Sequence, residues 1–156
     1  MTGSYDGPEI TSRPATIDDL PLLIRMEELS FGPERFTRRM LSRYIRNPNG
    51  SIVTEVIEYR GEPAGYAVFF TRRGGRTVSL HSICIIPELR NRGIARSYLG
   101  QALSRFRGHL SSAVLRVRVS NESALGFYRS LGFGIVGHQL RYYPDGEDAL
   151  IMTLRL

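Results

Sequence analysis

The segment Val78 to Ile86, VSLHSICII, passes through Pro87 to Arg92 straight into Gly93, Ile94, Ala95, Tyr98, Leu99, Ala102, Leu103 and Phe106, which recur at helical spacing. The later part of the run is apolar on both faces. Such a strand is expected at the centre of a sheet, because an exposed edge would alternate with polar residues. A buried strand that turns directly into an amphipathic helix restricts the chain to a layered α/β fold.

The remaining segments fit that frame. Ile10 to Arg13 reads as a short first strand ended by Pro14, and Thr16 with Asp19 caps a helix carrying Leu20, Leu23, Ile24 and Leu29. Phe36, Met40, Leu41, Tyr44 and Ile45 predict a second helix that stops before Asn47 and Pro48. Ile52 to Tyr59 and Gly65 to Thr71 read as a hairpin across Arg60, Gly61, Glu62 and Pro63. Ala113 to Val119 is a strand, Ser120 or Asn121 caps a helix ended by Gly132, and Ile135 to Tyr142 with Ala149 to Leu156 form the last two strands. Residues 1 to 9 read as a flexible polar leader and 10 to 156 as one domain, since no repeat, low-complexity tract or linker divides them.

Length and composition narrow the function. A chain of 156 residues matches one domain, and 42% hydrophobic with 23% charged residues is ordinary globular usage. One Cys excludes an internal disulfide, and with three scattered His it offers no structural zinc site, so no metal is expected and the reduced cytoplasm is the expected compartment. The N-terminus, with Asp and Glu and no apolar run, resembles neither a secretory signal nor a membrane span. A formal charge of +6 favours an anionic ligand or nucleic acid. Nucleic acid is set aside for want of a clustered basic helix or interleaved aromatic and basic residues. Arg72, Arg73 and Arg76 read as solvated turn residues.

The densest chemistry lies in Arg90, Asn91, Arg92, Gly93, Ile94 and Ala95, between the buried strand and its helix. Gly93 lets backbone approach a ligand, and the first-turn N–H groups with the positive end of the helix dipole suit a phosphate, with Arg92 or Arg96 adding charge. The plain alternative is a tight βα turn with arginines for solubility. Neither GxGxxG nor GxxxxGK[ST] occurs, so the dinucleotide and NTPase loops are excluded and another pyrophosphate-bearing ligand is favoured.

The combination of Arg90, Gly93 and Ala95 with Asn121, Tyr128 and the ending Leu131, Gly132, Phe133 resembles the GNAT superfamily of acetyl-CoA-dependent N-acetyltransferases. The tail from Tyr142 to Met152 is similar to that of the protein N-terminal acetyltransferases, a subgroup that includes ribosomal-protein alanine acetyltransferases. The resemblance implies a mixed sheet of about seven strands flanked by about four helices. It also implies acetyl-CoA as substrate, with its pyrophosphate on the amides of Asn91 to Arg96 and its pantetheine arm beside Ile83, Cys84 and Ile85. Asn121 would contact that arm as well as cap its helix. Tyr128 would act as general acid toward the departing thiolate of a tetrahedral intermediate.

Other roles carried by the resemblance are less complete. Relatives often place Glu or His five residues before the Asn, but Arg116 stands there and cannot accept a proton. His81 is the alternative base, ahead of His138 and Glu27, and its ordinary pKa near 6.5 suits the task. Phe31 to Phe36 would form one wall of the acceptor groove, with Tyr142 and Tyr143 as the other. Arg116 and Arg118 share a strand face, where they either draw an acidic acceptor, cover solvated sheet or bind CoA phosphate. Cys84, among apolar neighbours, is expected to pack and not to react. The implied acceptor is a protein or peptide α-amine. Alternatives are a small amine, polyamine or lysine side chain, or a regulatory domain that binds CoA without turnover. A monomer or weak homodimer is expected.

Overall fold

The computed structural model describes residues 7–156. Residues 1 to 6 of the leader lie outside them; Glu9, at its far end, is tied down, because its carbonyl accepts from the Arg60 N–H at 2.7 Å and its carboxylate from the Arg60 side chain at 2.8 Å. Seven strands form one sheet in the order β1-β2-β3-β4-β5-β7-β6. They are β1 (Ile10–Pro14), β2 (Ile52–Tyr59), β3 (Glu62–Phe70), β4 (Thr77–Ile85), β5 (Ser112–Arg118), β6 (Gly134–Gln139) and β7 (Ala149–Arg155). Helices α1 (Leu20–Ser30) and α2 (Arg38–Arg46) cover one face, and α3 (Ile94–Phe106) with α4 (Glu122–Ser130) cover the other.

Local chemistry explains most boundaries. The Asp19 carboxylate accepts from the Thr16 N–H at 2.7 Å, but the turn it closes is a 3-10 turn, Ile17–Asp19, and the α-helix proper starts at Leu20 with Pro21 in its first turn. Thr37 caps α2 through Met40 N–H at 3.2 Å, and Asn47 ends it in the left-handed conformation. The β2–β3 turn is tighter than the four residues read from sequence: Arg60 and Gly61 alone make it, both with positive φ, and Glu62 and Pro63 already pair with β2. Strand β6 stops at Gln139, short of Tyr142, because Arg141 turns left-handed at φ 51 and its N–H bonds Asp148 at 2.9 Å.

Two features of β4 shape the centre of the molecule. The strand pairs in parallel with β5 only at Thr77, Val78 and Ser79, so beyond Ser79 the two strands part. Against β3 the register skips His81: Val68 faces Ser82 and Phe69 faces Leu80. His81 is therefore the extra residue of a bulge. It leaves Leu80 and Ile83 facing the α3/α4 core while His81 joins Phe36, Tyr44 and Phe70 on the other face.

Candidate active site

The parted strands open a cleft of about 680 Å³. Its floor is Ile83, Cys84 and Ile85, one wall is the β4–α3 loop, and the other is α4 with Asn121 and Tyr128; Ser30 and Phe31 close one side. Gly65 on β3 makes the floor possible. A Cβ there would lie 2.1 Å from the Cys84 carbonyl oxygen, so only glycine lets the neighbouring strand come this close. Cys84 is buried, and burial pushes its thiol up to about 12, which keeps it protonated and unreactive.

The loop matches the sequence expectation in backbone but not in every side chain. Asn91 and Gly93 are both left-handed, with φ 63 and 78, and Gly93 forms the N-cap of α3 without any side-chain acceptor. Among the described residues, no loop or cap hydrogen bond uses the N–H of Asn91, Arg92 or Gly93, and the first helical turn leaves its own N–H groups free. These donors and the helix dipole make a seat for a phosphate. Arg90 lines the cleft with its guanidinium already engaged. Its Nε donates to the Ile85 carbonyl at 2.9 Å and its other nitrogen to Ser30 at 3.1 Å, so the side chain braces the loop against β4 and α1. Arg96 bonds Ser130 and lies 5.7 Å from the Phe127 ring, clamping α3 to α4 at the cleft's edge. Arg92 is exposed and does not line the cleft.

Asn121 Oδ1 accepts from the Ala124 N–H at 3.1 Å, which is the capping role, while its amide group stays available on the cleft wall. Tyr128 packs edge-on against Phe127 and Phe133, at 5.2 and 5.8 Å between ring centroids. Among the described residues its hydroxyl has no hydrogen-bond partner. Burial, and to a lesser degree the nearby Tyr143 phenol, pushes it up to about 12.

Several expected groups stand outside this cleft. His81 stacks on Phe70 at 4.1 Å, lies parallel to Phe36 at 5.4 Å, and has its Nε2 3.4 Å from the Tyr44 hydroxyl. His81 keeps an exposed edge, but the packed rings around it, then the charge of Arg116, hold the imidazole below its ordinary 6.5, which favours the neutral form at pH 7. The structure thus gathers His81 with Phe36 and not with Tyr128. Glu27 is buried against the Tyr66 hydroxyl at 2.6 Å and His138 pairs with Asp148 at 2.7 Å, and neither lines the cleft.

Sequence reasoning missed the role of Arg118. Its guanidinium bonds Glu34 from the α1–α2 loop together with Asp145 and Glu147 from the β6–β7 loop, the last at 2.8 Å. It also lies 4.0 Å from the Tyr143 ring centroid. The expectation of an acid-seeking or CoA-binding arginine is corrected for Arg118, which three carboxylates overcompensate. Arg116 is occupied too, with its Nε on Gln139 at 2.9 Å and its guanidinium 5.4 Å from the Tyr142 ring. The two expected groove walls are therefore tied together, and the four-residue cluster itself, three carboxylates around one guanidinium, is net negative within a basic chain. No local signal marked this cluster, whose members lie at 34, 118, 145 and 147.

A seven-stranded sheet split between β4 and β5, with a phosphate seat on α3 and a free phenol on α4, defines an acyl-CoA-dependent transferase. Residues 20–133 match the model of the acetyltransferase (GNAT) family, and the chain belongs to that family. Among characterised relatives, the N-alpha-acetyltransferase RimI of Mycobacterium tuberculosis is 40% identical over 130 residues, which cover 80% of this chain and 78% of that one. An uncharacterised protein of Mycobacterium leprae is 45% identical over 75 residues, 47% of this chain but 20% of its own length. The solved ribosomal-protein-S18-alanine N-acetyltransferase of Escherichia coli superposes with a TM-score of 0.81 at 25% identity, covering 94% of this chain and 93% of that one. The spermidine N-acetyltransferase of Vibrio cholerae in complex with CoA and spermine shares the fold, with a TM-score of 0.80 at 20% identity over 94% and 95% of the two chains. No helix among the described residues is long and apolar enough to cross a membrane.

Proposed function

We propose that the protein transfers the acetyl group of acetyl-CoA to the α-amine of a protein or peptide N-terminus. The observation that carries this is the junction of the phosphate seat, the unpaired β4 edge and the Tyr128 phenol in one cleft, with the Tyr143 phenol close enough to act on Tyr128 and itself held by the Arg118 cluster. The diphosphate sits on the N–H groups of Asn91 to Arg96, the pantetheine amides take the ladder positions that β5 leaves open beyond Ser79, and the thioester reaches the level of Tyr128. The names of the relatives, which include acetyltransferases of a ribosomal protein N-terminus, support the α-amine as acceptor.

The chemistry asked of each residue is modest. A phenol at about 12 that gave its proton outright to a thiolate, with the ordinary thiol near 8.5, would climb roughly 5 kcal/mol. Tyr128 therefore keeps its proton and donates a hydrogen bond to the sulfur as charge grows on it, which stabilises the transition state more than the thioester ground state. An α-amine, with a pKa of about 7.7 to 8.0, needs far less help to lose its proton than a lysine near 10.4. The amine attacks in its deprotonated form. As the C–N bond forms and the C–S bond breaks, the proton released from nitrogen passes through water to His81, neutral and beside Phe36. The thiolate leaves with the Tyr128 hydrogen bond and takes its proton from solvent.

Thiol release from acetyl-CoA across peptides differing in their first two residues, with spermidine and an acetyl-blocked lysine peptide alongside, tests the reading. Turnover that depends on the first residues supports it. Turnover with spermidine alone would replace it with the polyamine reading, to which the net negative Arg118 cluster is also suited.

A further inference from the structure

The stretch from Arg35 to Thr54 holds five arginines and no Asp or Glu. Four of them, Arg38, Arg39, Arg43 and Arg46, fall on α2, whose opposite side is anchored in the core by Leu41 and Tyr44. At 3.6 residues per turn the four share an arc of about 140°, and all are exposed. Among the described residues none of them pairs with a carboxylate, whereas Arg13, Arg60, Arg105 and Arg118 all do. The sequence reading set nucleic acid aside because it saw no clustered basic helix; α2 is such a helix.

The face continues beyond α2. Tyr44 packs on Phe70 at 5.4 Å, and the Thr71 N–H donates to the Ser51 carbonyl at 2.7 Å, so the β3–β4 turn with its exposed Arg72 and Arg73 begins beside the α2–β2 connection. A groove of about 690 Å³ runs between α2 and the start of α1, lined by Arg38, Arg39, Ser42 and Arg46 with Asp18 as its one carboxylate. Asn and Gln are missing from the outer face of α2, so it has little to read base edges with, and it presents no aromatic ring for stacking an unpaired base. Large exposed apolar residues occur only at its margins, Ile17 and Met40, which is poor equipment for entering a membrane. Every basic residue of the chain is Arg, whose planar fork matches paired phosphate oxygens.

We propose that the arginine face of α2, extended by Arg72 and Arg73, docks the phosphate backbone of double-helical RNA beside the acceptor mouth. The choice of RNA rests on the N-terminal reading above and on the relatives named there as ribosomal-protein acetyltransferases: an amino terminus carried on a ribonucleoprotein brings its amine to the rim at Glu34 while its RNA meets the arginine face, whose first member, Arg38, follows four residues on. Arginines three and four apart present their charges about 5 to 6 Å from one another, a row suited to a repeating phosphate chain.

Fluorescence anisotropy of a short labelled RNA duplex, titrated with the protein over a series of salt concentrations, tests this without acetyl-CoA or acceptor. Wild type should bind with affinity that falls steeply with salt. The Arg39→Gln/Arg43→Gln/Arg46→Gln variant should weaken binding about tenfold or more and lower the salt slope by about one unit per arginine. Its circular dichroism and peptide acetylation should stay unchanged. Arg72→Gln/Arg73→Gln, in a surface turn, should act in the same direction and decides the matter if the triple variant folds poorly. Arg25→Gln on α1 should change nothing. Unaltered RNA binding by both variants, an equal loss with Arg25→Gln, or equally tight binding to a DNA duplex, a polyglutamate peptide or vesicles of mixed phosphatidylserine and phosphatidylcholine would overturn the proposal. Loss of peptide acetylation with RNA binding intact would instead strike the acceptor reading.

Discussion

The Arg118 guanidinium stacks over Tyr143, 4.0 Å from the ring centroid, and in that position it reaches carboxylates from both loops that flank the acceptor groove. A residue of the central sheet thereby sets the spacing of two surface loops. The ion pairs with Asp145 and Glu147 are at the surface, so their worth lies in geometry more than in stability.

Replacing Arg118 with Gln leaves Glu34, Asp145 and Glu147 facing one another without a cation, and like charges at that range part. The groove should widen, raising the KM for an acceptor peptide by about tenfold, the value of one or two charge-assisted hydrogen bonds. The KM for acetyl-CoA should hold, since none of these residues lines the cleft floor. Arg118→Lys should recover only part, because an ammonium cannot span three carboxylates. Steady-state kinetics with each substrate varied in turn provides the check.

Tyr128→Phe keeps the packing on Phe127 and Phe133 and removes only the hydroxyl. The expected result is a kcat lowered by about 10 to 100 times, the cost of one hydrogen bond to a developing charge, with acetyl-CoA affinity unchanged. Because the phenol stays protonated to about pH 12, no basic limb in the wild-type pH profile should belong to it.

Glycine tests the architecture of the cleft at two places. Gly65→Ala sets a methyl group 2.1 Å from the Cys84 carbonyl and must push β4 away, with a loss of about 1 to 3 kcal/mol by denaturant melts and a disturbed floor. Gly93→Ala meets open space but must hold φ 78, at about 1 kcal/mol. Its methyl group stands where the diphosphate must approach, so the KM for acetyl-CoA should rise while the fold persists.

Most of the fold was legible because its signals are local. Ile52–Tyr59 has the β-branched and aromatic content a strand favours, Asn121 is both a capping residue and followed by helical spacing, and the run from Val78 to Ala95 announces a central strand, a phosphate loop and a helix together. What escaped depends on contacts between distant residues. The bulge at His81 is fixed by how β3 pairs, the Arg90 guanidinium is held by Ile85 and Ser30, and the Arg118 cluster draws on three separate segments. The helical spacing of Leu41 and Tyr44 already implies a shared face for the α2 arginines; what needed the structure is that none of them meets a carboxylate among the described residues.

Acid should weaken the fold in two steps set by its paired carboxylates. Arg13, through two hydrogen bonds of 2.8 Å, holds Asp19 down to about 2 from its ordinary 3.8. Burial would push Glu55 up, but Arg105 and the Tyr98 hydroxyl outweigh it and leave it below its ordinary 4.5. For a carboxylate with a lowered pKa, the unfolded chain binds the proton first, so stability present at neutral pH is lost as pH falls through 4.5 toward 2. With Arg13 partly exposed, the Asp19 share is about 1 kcal/mol. Glu55→Gln should flatten the upper part of that loss in urea melts taken between pH 5 and pH 2, and Asp19→Asn the lower part.

His81 gives the sharpest test of the proton path. Its folded pKa lies below 6.5, so the native state resists protonation more than a free histidine does. If the neutral imidazole takes the amine's proton, kcat/KM for an acceptor peptide should fall on the acid side through two ionisations: the amine's own, at about 7.7 to 8.0, and a second below 6.5. His81→Ala should remove the second and keep the first. Packing is a separate effect, because the ring touches Phe36, Phe70 and Tyr44. His81→Phe restores the aromatic contact without a titrating nitrogen, so its profile should match that of the alanine variant while its melting temperature returns toward wild type. A wild-type profile with the amine's ionisation alone, or a second ionisation that survives both substitutions, would assign the proton to solvent and leave His81 as the bulge's packing residue.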